Sequence, residues 1–457
     1  MSARLKANSL SFFESLVMGI AGSAPGYTIA ITTAVLLSTA GTLAPAALVL
    51  FAVPMLGIAV AYKALNKHSA NAGAAYQWTT MAFGRLLGFF SGWALLIASV
   101  VFMVAGSVPI ATATLTFIDP TLTSNVVLTA IISSAWFLLI AIILIRGIEI
   151  TSRVQVVMTV VELIILTAVL IAALVHAAKT GAVNPFQWDW LSLNYSPKSF
   201  AATALAVVFF YWGWDVTSNL SEETMNGGDN AGNGGFSSVI ITIFYYIGFT
   251  VAALFLYSLH DSKSLSDNLV YNIAITCGWG RSGALLASFA VVLSSIATLE
   301  TTMLQFSRTL YAMGRDGAMP LHFGVVAEKN QTPVRTMYAL IAIGLALIWS
   351  SSLMPTVNSV VAASVNAVAV QVAYYYGLAG MVAAWEFRKT PSMGKWLFLC
   401  LYPAASGLLI LLLGIYALTT FDFVTEIVAI GGFLLGILFF RPRGYGKAVN
   451  VVPVVAE

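Results

Sequence analysis

Runs of about 20 apolar residues recur along the whole chain, separated by short polar connections, and each is long enough to cross a hydrocarbon core about 30 Å thick as a helix. The pattern predicts about twelve spans, beginning near Phe12, Pro45, Leu86, Asn125, Val154, Ala201, Val239, Ala284, Met337, Val360, Leu397 and Val424. The alternating strands of about ten residues that a transmembrane barrel requires are not found. The expected fold class is therefore an all-α membrane protein in one domain.

Two spans carry interruptions. Gly19, Gly22, Ser23, Ala24, Pro25 and Gly26 crowd the middle of the first. In lipid such a cluster marks either a helix break lining a cavity or a face where helices approach closely. In the sixth, Phe209, Phe210, Tyr211, Trp212 and Trp214 surround Gly213 and the acid Asp215. A carboxylate at that depth costs a few kcal/mol and normally faces a cavity or a partner. Paired breaks in corresponding spans point to an inverted-repeat transporter with a midplane site. The expectation is a LeuT-like 5+5 repeat with broken helices 1 and 6: residues 12–177, then 199–388, with two further helices over 396–441. The two halves share no visible sequence identity, so this repeat is inferred from the breaks.

Composition strengthens the class. The chain is 59% hydrophobic and only 9% charged, whereas soluble domains carry roughly a quarter charged residues. Lys and Arg are retained on the cytoplasmic side in short loops. Arg4, Lys6, Lys63, Lys67, Arg85, Arg146, Arg153, Arg315, Lys329, Arg335, Arg388, Lys389, Lys395, Arg441, Arg443 and Lys447 fall to one side of an even-span count; Lys179, Lys198, Lys263 and Arg281 fall to the other. Both termini are thus expected in the cytoplasm, with the chain in the plasma (inner) membrane. The net charge of +3 reflects topology rather than a nucleic-acid partner. The connection from Glu222 to Gly235 is an exception, with three acids and no base. The basic, then apolar, N-terminus is not read as a signal peptide, because Glu14 interrupts it and the apolar stretch runs past Leu37. Two cysteines, Cys277 and Cys400, and four histidines show no metal-ligand spacing, and neither a disulfide, a metal nor a cofactor is expected.

The segment from Ser307 and Arg308 through Tyr311, Arg315, Asp316 and Gly317 to Pro320, followed by Thr332, Pro333 and Val334, is similar to the cytoplasmic signature after helix eight of the amino acid, polyamine and organocation permeases. Asn71, Gly73, Tyr76 and Trp78, then Phe83, Gly84, Gly92 and Trp93, resemble that family's region joining helices two and three, with Ser69 where the family has proline. Ser221, Glu222, Glu223 and Thr224 resemble the motif closing helix six, followed here by a loop rich in Gly and Asn instead of Asn-Pro. The resemblance covers nearly the whole chain and implies a secondary transporter. It further implies that the break at Gly22, Ser23 and Ala24 holds a substrate carboxylate on free backbone N–H groups, in keeping with the positive end of a half-helix. Gly213, Trp214 and Asp215 match the family's glycine, one residue, acid pattern. Asp215 would face an ammonium, with Phe209, Trp212 and Trp214 walling the site.

Two further acids lie inside spans. The resemblance implies that Glu162 stands where several sodium-independent members of the family carry a lysine. Burial favours a neutral carboxyl, so Glu162 is a candidate for proton coupling; the alternative is a protonated acid with a structural hydrogen bond. Glu300 is a candidate for a substrate or proton role on helix eight. Arg308, Arg315 and Asp316 read as structural or gating residues, and Tyr374, Tyr375 and Tyr376 as packing or cavity contacts.

The leading reading is import of an amino acid or related amine, driven by protons or by exchange, in a chain that is not an enzyme. With three acids about the cavity, a polyamine or other cationic amine stays open. No GxxxxGK[ST] loop for ATP is present. A membrane-embedded proton-channel or redox subunit would need Lys or His relays, but His68, His176, His260 and His322 all lie near span ends.

Overall fold

The computed structural model describes residues 4–192, 194, 200, 203–204, 207–208, 210–261, 268–353, 357–419, 421 and 423–446. Among these, helices make almost all of the regular structure, and nine helical segments are long and apolar enough to cross a membrane. This is a multi-pass membrane protein. The first segment runs over Phe12–His68, far more than the roughly 20 residues of one crossing. It is divided into α1 (Phe12–Ser23), α2 (Pro25–Ala40) and α3 (Ala44–His68).

Local chemistry sets these boundaries. Glu14 opens α1: the Ser11 hydroxyl accepts from Glu14 N–H while the Glu14 carboxylate accepts from Ser11 N–H at 2.6 Å, a reciprocal cap. Ala24 then adopts φ +49°, which ends the helix, and Pro25 restarts it at a position where a missing N–H costs nothing.

Short α4 (Ala75–Phe83) leads to long α5 (Arg85–Ile118). Next come α6 (Val126–Ile145), α7 (Ile148–Thr180), one turn α8 (Val216–Asn219) and α9 (Gly227–Leu256). After α10 (Leu269–Thr276) follow α11 (Gly280–Arg315), α12 (Val334–Ser351), α13 (Val357–Phe387), α14 (Met393–Leu418) and the interrupted α15 (Ile427–Phe439). α5 and α11 pack together at the centre; α1 packs on α9, α9 on α3, and α13 on α5 and α14. Outward faces remain apolar: Val157, Ile164 and Ile171 of α7, and Leu408, Leu412 and Ile415 of α14, are exposed, as a lipid solvent demands.

Most span starts lie within a few residues of those expected, but α9 begins at Gly227, twelve positions before Val239. The stretch read as a Gly- and Asn-rich loop is helical. A Cβ at Gly232 would lie 3.1 Å from Lys63 Cα, and one at Gly234 would lie 2.8 Å from Ser15 Cβ. These glycines therefore serve helix approach rather than flexibility.

Candidate functional site

The two interruptions meet. A Cβ added to Gly22 would collide with the Gly213 carbonyl, and one added to Gly213 would collide with the Gly22 carbonyl. The two backbones touch because both positions are glycine, and Gly213 at φ +99° occupies a conformation that suits glycine alone. The helical path ends at Phe210, turns through Tyr211, Trp212, Gly213, Trp214 and Asp215, and resumes in α8. Phe209 lies outside the described residues, as do Lys198, Lys263 and Lys447.

The first break falls at Ala24, one residue beyond the Gly22–Ser23 pair, which ends α1. Its freed carbonyls are held by protein: Thr298 Oγ1 donates to Gly22 O at 3.0 Å, and Tyr246 OH donates to Ser23 O at 2.6 Å. On the far side, Gly26 N–H at the start of α2 donates to Glu162 Oε1 at 2.9 Å. A carboxylate thus does sit at this half-helix N-terminus, and it belongs to Glu162. Sequence spacing gave no hint of that contact, since 136 positions separate the two residues.

Asp215 is fully buried. Tyr376 OH donates to Oδ1 at 2.8 Å, and Gln305 Nε2 donates to Oδ2 at 2.7 Å. Trp212 Nε1 donates to Tyr375 OH at 2.6 Å, and its ring stands edge-on to Phe102 at 5.2 Å. Tyr375 and Tyr376 therefore do more than fill space. Tyr62 joins them edge-on, with ring centroids 5.1 Å from Trp214 and 5.7 Å from Tyr376. Among the described residues, the Tyr62 hydroxyl and Trp214 Nε1 are buried without a partner. Glu300, on α11 between Thr298 and Gln305, is also buried, with Oε1 unpartnered among the described residues. Tyr62 and Gln305 were missed by sequence reasoning because each looks like an ordinary core residue on its own helix, whereas Tyr376 was among the tyrosines expected to pack or to contact the cavity.

A second constellation closes one end of the bundle. Arg308 Nε and Nη2 each donate to a Glu223 oxygen at 2.9 Å, both side chains being wholly buried. Arg315 donates to both Glu222 oxygens at 2.9 and 3.0 Å, and Ala72 N–H donates to Glu222 Oε1 at 2.9 Å. Asn219 Nδ2 reaches Ala72 O at 2.8 Å and Thr309 Oγ1 at 3.0 Å. Burial pushes the Asp316 carboxyl up, against the pull of the adjacent Arg315 guanidinium. Ion pairs Lys67–Asp229 and Lys6–Glu149 lie on the exposed part of the structure. The acidic connection that broke the charge rule is thus explained: its three acids pair with Arg315, Arg308 and Lys67.

The three segments that carry the family resemblance, around Ala72, Glu222 and Arg315, are bonded to one another here. The model of the family described as amino acid permease matches residues 10–440. The chain belongs to this family. Among its relatives, the methylthioribose transporter of Bacillus subtilis (strain 168) is 25% identical over 361 residues, 74% of this chain and 75% of the relative. The branched-chain amino acid permease of Lactococcus lactis subsp. cremoris (strain MG1363) is 26% identical, over 64% of each chain. The vacuolar cationic amino acid transporter 4 of Arabidopsis thaliana is 24% identical over 63% of this chain and 49% of its own length. This permease thus spans from about half to three quarters of the relatives it resembles.

Proposed function

We propose that this protein is a secondary transporter that carries an amino acid or a related amine across the plasma membrane, by alternating access around the two apposed breaks. One observation carries the reading: Gly22 and Gly213 put two interrupted helices in backbone contact, with acids on either side. Asp215 supplies the ammonium counter-charge, while Trp214 Nε1 and the Tyr62 hydroxyl, both unpartnered donors, suit a carboxylate. Trp212 covers the site as a gate. The two five-helix repeats over 12–177 and 199–388, both termini in the cytoplasm, and the Arg308–Glu223 pair as the cytoplasmic closure belong to the same proposal.

Glu162 is the proton carrier in this scheme. Holding Gly26 N–H, it couples the charge state of a carboxyl to the start of α2, so protonation loosens the capping bond and the break with it. A cationic amine remains the second reading, because Glu300 adds a buried acid on the helix that also carries Gln305. Purified protein in sodium-free liposomes, alkaline inside, should accumulate radiolabelled isoleucine or lysine; accumulation of putrescine alone would select the second reading. No accumulation of any of the three, under proton or sodium gradients, would overturn the transport proposal.

A further inference from the structure

The face of α7 turned into the bundle changes character at Glu162. Toward the Ile148 end, after Ile148 itself, its buried residues are Thr151, Ser152, Gln155 and Thr159; toward the other end they are Ile165, Leu166, Val169, Ala173 and Ala177. The polar half follows spacings of three, four and three residues, which place Ser152, Gln155, Thr159 and Glu162 in one file along the helix. Gln155, Thr159 and Glu162 are fully buried and Ser152 is 2% exposed. Yet Ser152 Oγ, both polar atoms of Gln155, Thr159 Oγ1 and Glu162 Oε2 find no hydrogen-bond partner among the described residues.

Five consecutive orphaned atoms on one buried stripe are not tolerated in a dry interior, since each costs about 1–3 kcal/mol when left unmade. Polar atoms of this kind are satisfied by buried water, which needs two to four polar partners close together. A file at helical spacing offers them in series. We infer that Ser152, Gln155, Thr159 and Glu162 line a hydrated hydrogen-bond file, which carries protons between Glu162 and the end of the bundle where Lys6 pairs with Glu149. In one direction the protonated carboxyl gives its proton to the adjoining water and is left as carboxylate; the file passes an equivalent proton out at Ser152. Beyond Glu162 the buried face of α7 is apolar, so the file does not continue along this helix. The path is therefore one-sided, as a carrier that must not leak protons requires.

Several other ionisable groups on the helices packed against α7 are already engaged. Tyr246 of α9 donates to Ser23 O, Glu14 of α1 caps its own helix, and Arg308 and Arg315 of α11 are paired with Glu223 and Glu222. Glu300 of α11 is buried, with Oε1 unpartnered among the described residues. Glu162 is the acid at the head of the file.

This inference rests on the proton role proposed for Glu162, and the experiment separates the two. Infrared spectra of the full-length protein in lipid, transferred from H2O to D2O, would follow the carboxyl C=O band that Glu162→Gln abolishes. The band should appear at acid pH and shift as the proton exchanges. Thr159→Val and Gln155→Met should each slow that exchange by roughly tenfold or more, while Thr159→Ser restores it. Should Gln155→Met fail to fold, the near-isosteric Thr159→Val carries the comparison with Thr159→Ser. Unchanged exchange in Thr159→Val would overturn the file while leaving Glu162 as the carrier; no Glu162 band at any pH would overturn the carrier itself.

Discussion

Arg308 and Glu223 form the most consequential buried contact outside the central site, and its removal has a calculable cost. Arg308→Met keeps the bulk of the stem but withdraws three hydrogen bonds: two to the Glu223 oxygens at 2.9 Å and one from Nη1 to Ser307 Oγ at 3.0 Å. Glu223 is then left as a wholly buried acid, and breaking such a pair from one side costs about 3–5 kcal/mol. Removing both charges, as in Arg308→Met with Glu223→Leu, leaves no orphaned ion, and replacement by apolar groups is often close to neutral. The double variant should therefore recover most of the stability lost in the single one. Denaturant titration in detergent micelles, read by tryptophan fluorescence, measures both differences. A single variant as stable as the unmodified protein, or a double variant no better than the single, would show that the guanidinium is not held as described. Transport in the stable double variant should still be impaired, because the pair ties the segment after α8 to α11.

Gly22→Leu should abolish uptake, because any Cβ there meets the Gly213 carbonyl; retained uptake at normal affinity would move the site elsewhere. Asp215→Asn, which keeps the shape but loses the charge, should weaken substrate binding by roughly 1.5–3 kcal/mol, about tenfold to hundredfold; full affinity in a binding titration would remove Asp215 from the ammonium site. Glu162→Gln retains an oxygen for Gly26 N–H, so the protein should fold and exchange substrate across liposomes while losing accumulation driven by the pH gradient. Unchanged pH-driven accumulation would assign Glu162 to structure.

Membrane class, most span positions, both interruptions and the acid at Asp215 were legible along the chain, because each depends on local composition: apolar length, clustered Gly and Pro, and the cost of a charge in lipid. The family followed from three short segments, and the fold shows why those segments matter together, since Ala72, Glu222 and Arg315 are bonded across 243 positions of sequence. Tertiary structure alone decided the partners. Gln305 and Tyr376 claim Asp215 from two other helices, and Glu162 occupies the helix start expected to hold a substrate carboxylate. It also turned Gly227 to Gly235 from loop to helix, because the propensity penalty of glycine, about 1 kcal/mol per residue, is offset where the absence of a side chain lets α9 lie against α1 and α3. A linear pattern reports which groups are costly to bury; only packing across distant segments reports which group satisfies them.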